Sequence, residues 1–108
     1  MLSINEANFE SVVLSSRLPV LVKAYGDWCP PCRRVAPLID ALAAKLNGKA
    51  LVVKLNIDEA SRLAGQFRIY SVPTFLVFQS GREVARMVGI QTESHLMESL
   101  DLHGDEEA

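Results

Sequence analysis

No apolar run in this chain is long enough to cross a bilayer. The longest, Val20 to Val22, Leu51 to Val53 and Phe75 to Phe78, fall far short of the roughly 20 residues a spanning helix requires, and no membrane association is expected. A basic excess is missing as well. Eleven Lys and Arg stand against thirteen Asp and Glu, a net charge of −2, and without surplus cations to neutralise phosphates a nucleic acid is not an expected partner. Arg33, Arg34, Arg62, Arg68, Arg82 and Arg86 are dispersed, and no glycine-rich loop exists to cradle a nucleotide, so no bound organic cofactor is implied. The N-terminal Met1-Leu2-Ser3-Ile4-Asn5-Glu6 carries no cationic segment followed by an apolar stretch, so the cytoplasm is the expected compartment. Cysteine is scarce: there are two, Cys29 and Cys32, a spacing useless as a long-range staple but suited to local redox chemistry. Zinc normally takes four ligands. Only His95 and His103 could join the cysteines, both beyond the last expected strand, and no metal is expected.

What the chain does have is the material for one core. Of 108 residues, 49% are apolar and 22% charged, the balance of a packed domain and not of a disordered segment. Asn5 is placed to cap a first helix carrying Phe9, Val12 and Val13, and Leu2 to Ile4 reads as a short edge strand. Val20 to Tyr25 is nearly all apolar, as a strand covered on both faces should be, with Lys23 the exception. From Arg33 to Leu46 the residues Val35, Leu38, Ile39, Leu42 and Leu46 share one helical face, and Asn47-Gly48 supplies the stop. Ala50 to Ile57 reads as a strand and Asp58 as the cap of a helix with Ala60, Leu63, Ala64 and Phe67. After Pro73, Thr74 to Phe78 and Glu83 to Val88 form two strands joined by the short turn Gln79-Ser80-Gly81-Arg82, hence an antiparallel hairpin. Thr92 is placed to cap a last helix with Leu96 and Leu100. The order β-α-β-α-β-α-β-β-α predicts an α/β fold: a mixed sheet, its early strands parallel, with helices on both faces. Residues 1–103 form the expected domain and 104–108 a short acidic tail.

The chemistry is concentrated in Trp28-Cys29-Pro30-Pro31-Cys32, which follows the strand directly and opens the longest helix. Cys29 falls at or near the N-cap, where unpaired N–H groups and the positive end of the helix dipole favour a thiolate. Cys29 is therefore the candidate nucleophile, and Cys32, one turn later on the inner side, the candidate resolving thiol. Pro30 and Pro31 occupy the first turn, where a missing N–H costs nothing, and stiffen the loop. Pro37 cannot donate to the Arg33 carbonyl, so a kink is expected there. Two reduced core cysteines would be the plain alternative, but packing has no need of Pro-Pro between them. Trp28 on its own would more often be a core residue; beside a nucleophile its indole can shield the thiolate and offer a contact surface.

Taken together, Trp28 to Cys32 with Ala36-Pro37, Lys54-Leu55-Asn56-Ile57-Asp58, Val72-Pro73-Thr74, Phe78-Gln79-Ser80-Gly81 and Val88-Gly89 resemble the thioredoxin family, from Ser3 to about Leu102. The resemblance implies a thioredoxin fold, with a central mixed sheet of about five strands flanked by four helices on both faces. It also implies a cis Pro73 facing the dithiol, with Val72 offering backbone groups to an extended substrate segment. Trp28, Val72, Pro73 and Gly89 would form the docking surface, disulfide-containing proteins would be the substrates, and a thioredoxin-reductase-type donor would supply electrons to what is expected to be a monomer. Three positions depart from the family pattern. Pro30 stands where glycine is familiar, Tyr25 where tryptophan is common, and Lys23 where a buried aspartate is usual. Lys23 has two readings: an ammonium that snorkels to solvent past a short neighbour, or a cation beneath the dithiol, near Lys54, that tunes its ionisation.

The expectation is a thiol-disulfide oxidoreductase that reduces protein disulfides through Cys29 and Cys32 with a mixed-disulfide intermediate. An oxidant or isomerase, distinguished by reduction potential, and a non-enzymatic interaction module on the same fold are the alternatives.

Overall fold

The structure, a computed structural model, describes residues 1–100; the acidic tail expected at 104–108, and His103, lie outside the described residues. Five strands form one sheet: β1 (Leu2–Ser3), β2 (Val20–Tyr25), β3 (Leu51–Asn56), β4 (Thr74–Gln79) and β5 (Arg82–Val88), in the spatial order β1-β3-β2-β4-β5. Strands β1, β3 and β2 run parallel, while β4 is antiparallel to both β2 and β5. The expected mixed sheet is thus observed. The link from β3 through a helix to β4 reverses direction, so the loop before β4 returns to the end of β2 that carries the cysteines.

Four helical segments flank the sheet: a π-helical turn (Glu10–Leu14), α1 (Pro30–Lys45), α2 (Ser61–Gln66) and α3 (Glu93–Leu100). Because successive strand residues face opposite ways, β2 divides its apolar side chains between two cores. Val20, Val22 and Ala24 pack with Phe9, Val13, Leu63 and Phe78 under the π-helical turn and α2. Leu21 packs with Val52, Phe75, Val35, Ile39 and Leu96 under α1 and α3. Cys32, Val35, Ile39 and Leu42 recur at three and four residues, which puts them on the buried face of α1. Phe9, Phe67 and Phe78 close the opposite layer as a cluster with ring centroids 5.2 to 5.6 Å apart.

The local signals explain most element ends, with informative exceptions. Asn5 Oδ1 accepts the N–H groups of Ala7 and Asn8, and Thr92 Oγ1 accepts that of His95, as caps should. The first helix, however, is a π-helical turn rather than an α-helix. Asp58 is not a cap. The turn after β3 is held instead by Asn56 Oδ1, which accepts the N–H groups of Asp58 and Glu59 at 2.9 and 3.2 Å. The start of α2 is satisfied from far away in sequence: Glu6 Oε2 accepts the Leu63 N–H at 3.0 Å. Helix α1 runs on through Pro37. Ser80 and Gly81, at φ 54° and 78°, make a hairpin turn of type I′. The exposed edge strand β5 carries an extra residue, Val84, opposite the Val77/Phe78 step, and charged Arg82, Glu83 and Arg86, devices that discourage further strand pairing.

Candidate active site

Strand β2 ends at Tyr25, and the chain turns through Gly26 and Asp27 before α1 starts. The Cys29 N–H donates to the Gly26 carbonyl at 3.1 Å, which fixes the turn. Cys29 is the N-cap of α1, in extended conformation, with Pro30 and Pro31 at the next two positions. Its sulfur accepts the Cys32 N–H at 3.2 Å. Cys29 and Cys32 are joined as a disulfide, with Cα atoms 5.3 Å apart. In the reduced protein the same N–H and the dipole of a 16-residue helix would favour a thiolate on Cys29.

Exposure does not separate the two cysteines: their relative accessibilities are 2% and 3%. Their surroundings do. The Cys29 sulfur lies 3.7 Å from the Val72 carbonyl oxygen, on the side of the loop before β4. Cys32 lines a pocket of about 270 Å³ with Lys23, Tyr25 and Lys54.

The Val72–Pro73 peptide bond is cis. The loop around it is tied down at three points: Thr74 Oγ1 donates to the Ser71 carbonyl at 2.7 Å, the Gly89 N–H to the Pro73 carbonyl at 2.8 Å, and Arg86 Nη1 to the Arg68 carbonyl at 3.3 Å. Arg86 is itself held by a two-pronged pair with Glu83, at 2.7 and 2.8 Å. Pro73 is buried, whereas Val72 is half-buried and its N–H makes no hydrogen bond among the described residues. The structure therefore gathers Cys29, Cys32, Val72, Pro73 and Gly89 at one end of the sheet, with Pro30 exposed and Pro31 half-buried beside them.

Trp28 is 61% exposed and is not a core residue. Its indole lies across Gly26, where an added Cβ would come within 2.7 Å of the ring, so only glycine leaves room for it. The indole Nε1–H donates to Asp58 Oδ2 at 2.8 Å. Asp27 is fixed in turn, its carbonyl accepting Arg33 Nη1 at 2.7 Å and its carboxylate oxygen lying 3.4 Å from Asn56 Nδ2. Asp58 and Asn56 were not legible as site residues, although both fall within the Lys54 to Asp58 motif. Sequence reasoning also passed over Tyr70, 86% exposed three residues before Pro73, and Ile90, exposed just after Gly89. An exposed aromatic beside a proline turn is the signal that could have found Tyr70.

Lys23 is buried at 6% accessibility and lies in register with Lys54 of β3. Its Nζ sits 5.2 Å from the centre of the Tyr25 ring. Burial holds its pKa below the ordinary lysine value; Asp40 opposes that shift and Lys54 adds to it. Among the described residues no cluster of His, Cys, Asp and Glu could hold a metal ion.

Comparison with known proteins agrees with the geometry. The thioredoxin family model matches residues 1–102. The chain is similar to the thioredoxin of Haemophilus influenzae, 39% identical over 103 residues, covering 95% of this chain and 96% of that protein. It is similar also to thioredoxin 1 of a Nostoc species, 40% identical with 93% and 94% covered, and to the thioredoxin of a Synechocystis species, 42% identical with 91% and 92% covered. A matching family model over nearly the whole chain, relatives of the same length and a Cys-Pro-Pro-Cys disulfide at the head of α1 lead to one conclusion: this chain belongs to the thioredoxin family of protein disulfide oxidoreductases.

Proposed function

We propose that this protein reduces disulfides in other proteins by a two-step exchange in which Cys29 attacks and Cys32 resolves. The Cys29 thiolate attacks one sulfur of a substrate disulfide. A Cys29–substrate bond forms, the substrate S–S bond breaks, and one substrate thiolate leaves and takes a proton from water. The Cys32 thiolate then attacks the Cys29 sulfur, the Cys29–Cys32 bond forms, and the second substrate thiolate leaves. Two electrons have passed to the substrate. A dithiol donor of the thioredoxin-reductase type returns them, and the two sulfurs carry the redox equivalents without a bound cofactor.

The observation that carries this reading is the position of the Cys29 sulfur. It accepts the Cys32 N–H at the start of α1 and lies 3.7 Å from the Val72 carbonyl, beside a Val72 N–H left open to a partner. An extended substrate segment pairing with Val72 would bring its own disulfide over Cys29. Trp28 and Gly89 flank that path, Pro73 shapes it, and Pro30 and Pro31 stiffen its floor. A monomer working in the cytoplasm, where thiols are kept reduced, fits this role.

The test is reduction of insulin disulfides driven by dithiothreitol. The protein should accelerate it strongly, and Cys29→Ser should abolish the acceleration. An intact protein that gives no acceleration over dithiothreitol alone would show that the fold serves only as an interaction module.

A further inference from the structure

Among the described residues Lys23 is the one charged side chain that the fold buries. It shares the α1 face of the sheet with Leu21, Val52 and Phe75, in register with Lys54 on one side and Phe75 on the other. The pocket it lines also holds Tyr25, Asp27, Cys32, Arg33 and Lys54. The charged groups facing it are thus Lys54 from β3, Arg33 and Asp40 from α1, and Asp27 from the connecting turn. Asp40 is exposed, the Asp27 carboxylate is turned toward Asn56, and no hydrogen bond or ion pair joins Lys23 to either among the described residues. With the disulfide closed, the cations Lys23, Arg33 and Lys54 outnumber the carboxylates Asp27 and Asp40 around the pocket, and burial, more than these charges, holds the Lys23 pKa below its ordinary value.

Reduction introduces a group able to carry the missing negative charge, because Cys32 lines the same pocket. We propose that Lys23, supported by Lys54, is a positioning residue that holds Cys32 as a thiolate in the reduced protein, so that the resolving step starts from an anion already formed. This inference rests on the dithiol exchange proposed above. The Cys32 proton passes to solvent at the pocket before attack, and no buried carboxylate has to accept it during attack. In the return direction an external thiolate attacks the Cys29 sulfur, the Cys29–Cys32 bond breaks, and Cys32 leaves as a thiolate stabilised by the same cations. Leaving is faster when the departing thiol has a lower pKa.

The direct readout is the ultraviolet absorbance of the thiolate in Cys29→Ser protein, titrated with pH. Against that background Lys23→Met should raise the Cys32 midpoint by about one pH unit, and Lys23→Asp should raise it further. With both cysteines present, Lys23→Met should make reduction of the protein's own disulfide less favourable by about tenfold, or about 30 mV for a two-electron couple. A purely structural role would not order the midpoints by the charge at position 23. If a Lys23 variant fails to fold, Lys54→Met at the half-buried neighbour should move the midpoint in the same direction by less. Unchanged Cys32 midpoints in the Cys29→Ser background, while the protein with both cysteines still reduces insulin, would overturn this inference alone. Failure of the unmodified protein to reduce insulin would instead remove the exchange reading beneath it.

Discussion

At the scale of single residues, the site depends on side chains that settle what their neighbours can do. Trp28 is presented at the surface because Gly26 lets the indole lie flat and Asp58 takes its N–H. An exposed hydrogen bond to a charged group contributes about 1 kcal/mol. Asp58→Ala should therefore raise KM for a protein disulfide by roughly fivefold, while Asp58→Asn, which keeps an acceptor, should change it little. Gly26→Ala should produce the same rise through displacement of the ring, seen as a shift in tryptophan fluorescence. Unchanged KM in both Asp58→Ala and Gly26→Ala would mean that the indole does not contribute to docking. The cysteines were legible because their chemistry is local: two sulfurs three apart, a preceding strand and a following helix lie within a few residues of one another. The Trp28–Asp58 pair was not, since 30 residues separate its members and no local pattern marks them as neighbours. Asp58 read as a helix cap for the same reason, when the backbone had already been satisfied by Asn56.

At the scale of elements, local sequence patterns carried most of the information. Strands followed from apolar, β-branched runs bounded by turn residues and helices from three-to-four spacing, but the antiparallel setting of β4 against β2 is invisible to such patterns, because either direction buries the same residues. The cap of α2 was equally hidden, coming from Glu6 at a separation of 57 residues. That contact sets a pH dependence. Hydrogen bonds from its own N–H and from that of Leu63 hold the Glu6 carboxyl below its ordinary value of 4.5. Its contribution is present above that value and lost as pH falls through the lowered folded-state value. Glu6→Ala should thus be destabilised against urea at neutral pH, with the difference from the parent shrinking in acid; a difference constant with pH would contradict the assignment. In the β4–β5 hairpin Ser80 holds a positive φ that asparagine tolerates better. Ser80→Asn should raise stability by roughly 0.5 kcal/mol, and a loss would mean that the turn relaxes out of type I′.

At the scale of the whole molecule, the sheet divides its labour between two cores and leaves one end for chemistry. The buried Lys23 is the element of the design that opposes stability. Its folded-state pKa lies below the ordinary lysine value of 10.5, so the unfolded chain binds more protons between the two, and stability should rise with pH across that window. Lys23→Met should be more stable than the parent near neutral pH, with the gap closing as pH approaches 10.5; chemical denaturation across that range reads it, and a gap that widens would refute the sign. The proposed function rests on one arrangement, in which a substrate segment laid along Val72 would meet the Cys29 sulfur with Cys32 behind it. Mass spectrometry after mixing single-cysteine variants with a disulfide-bonded protein tests that arrangement most directly. Cys32→Ser should accumulate a one-to-one adduct through Cys29, and Cys29→Ser should accumulate none. Equal adducts on both variants, or an adduct only through Cys32, would contradict it.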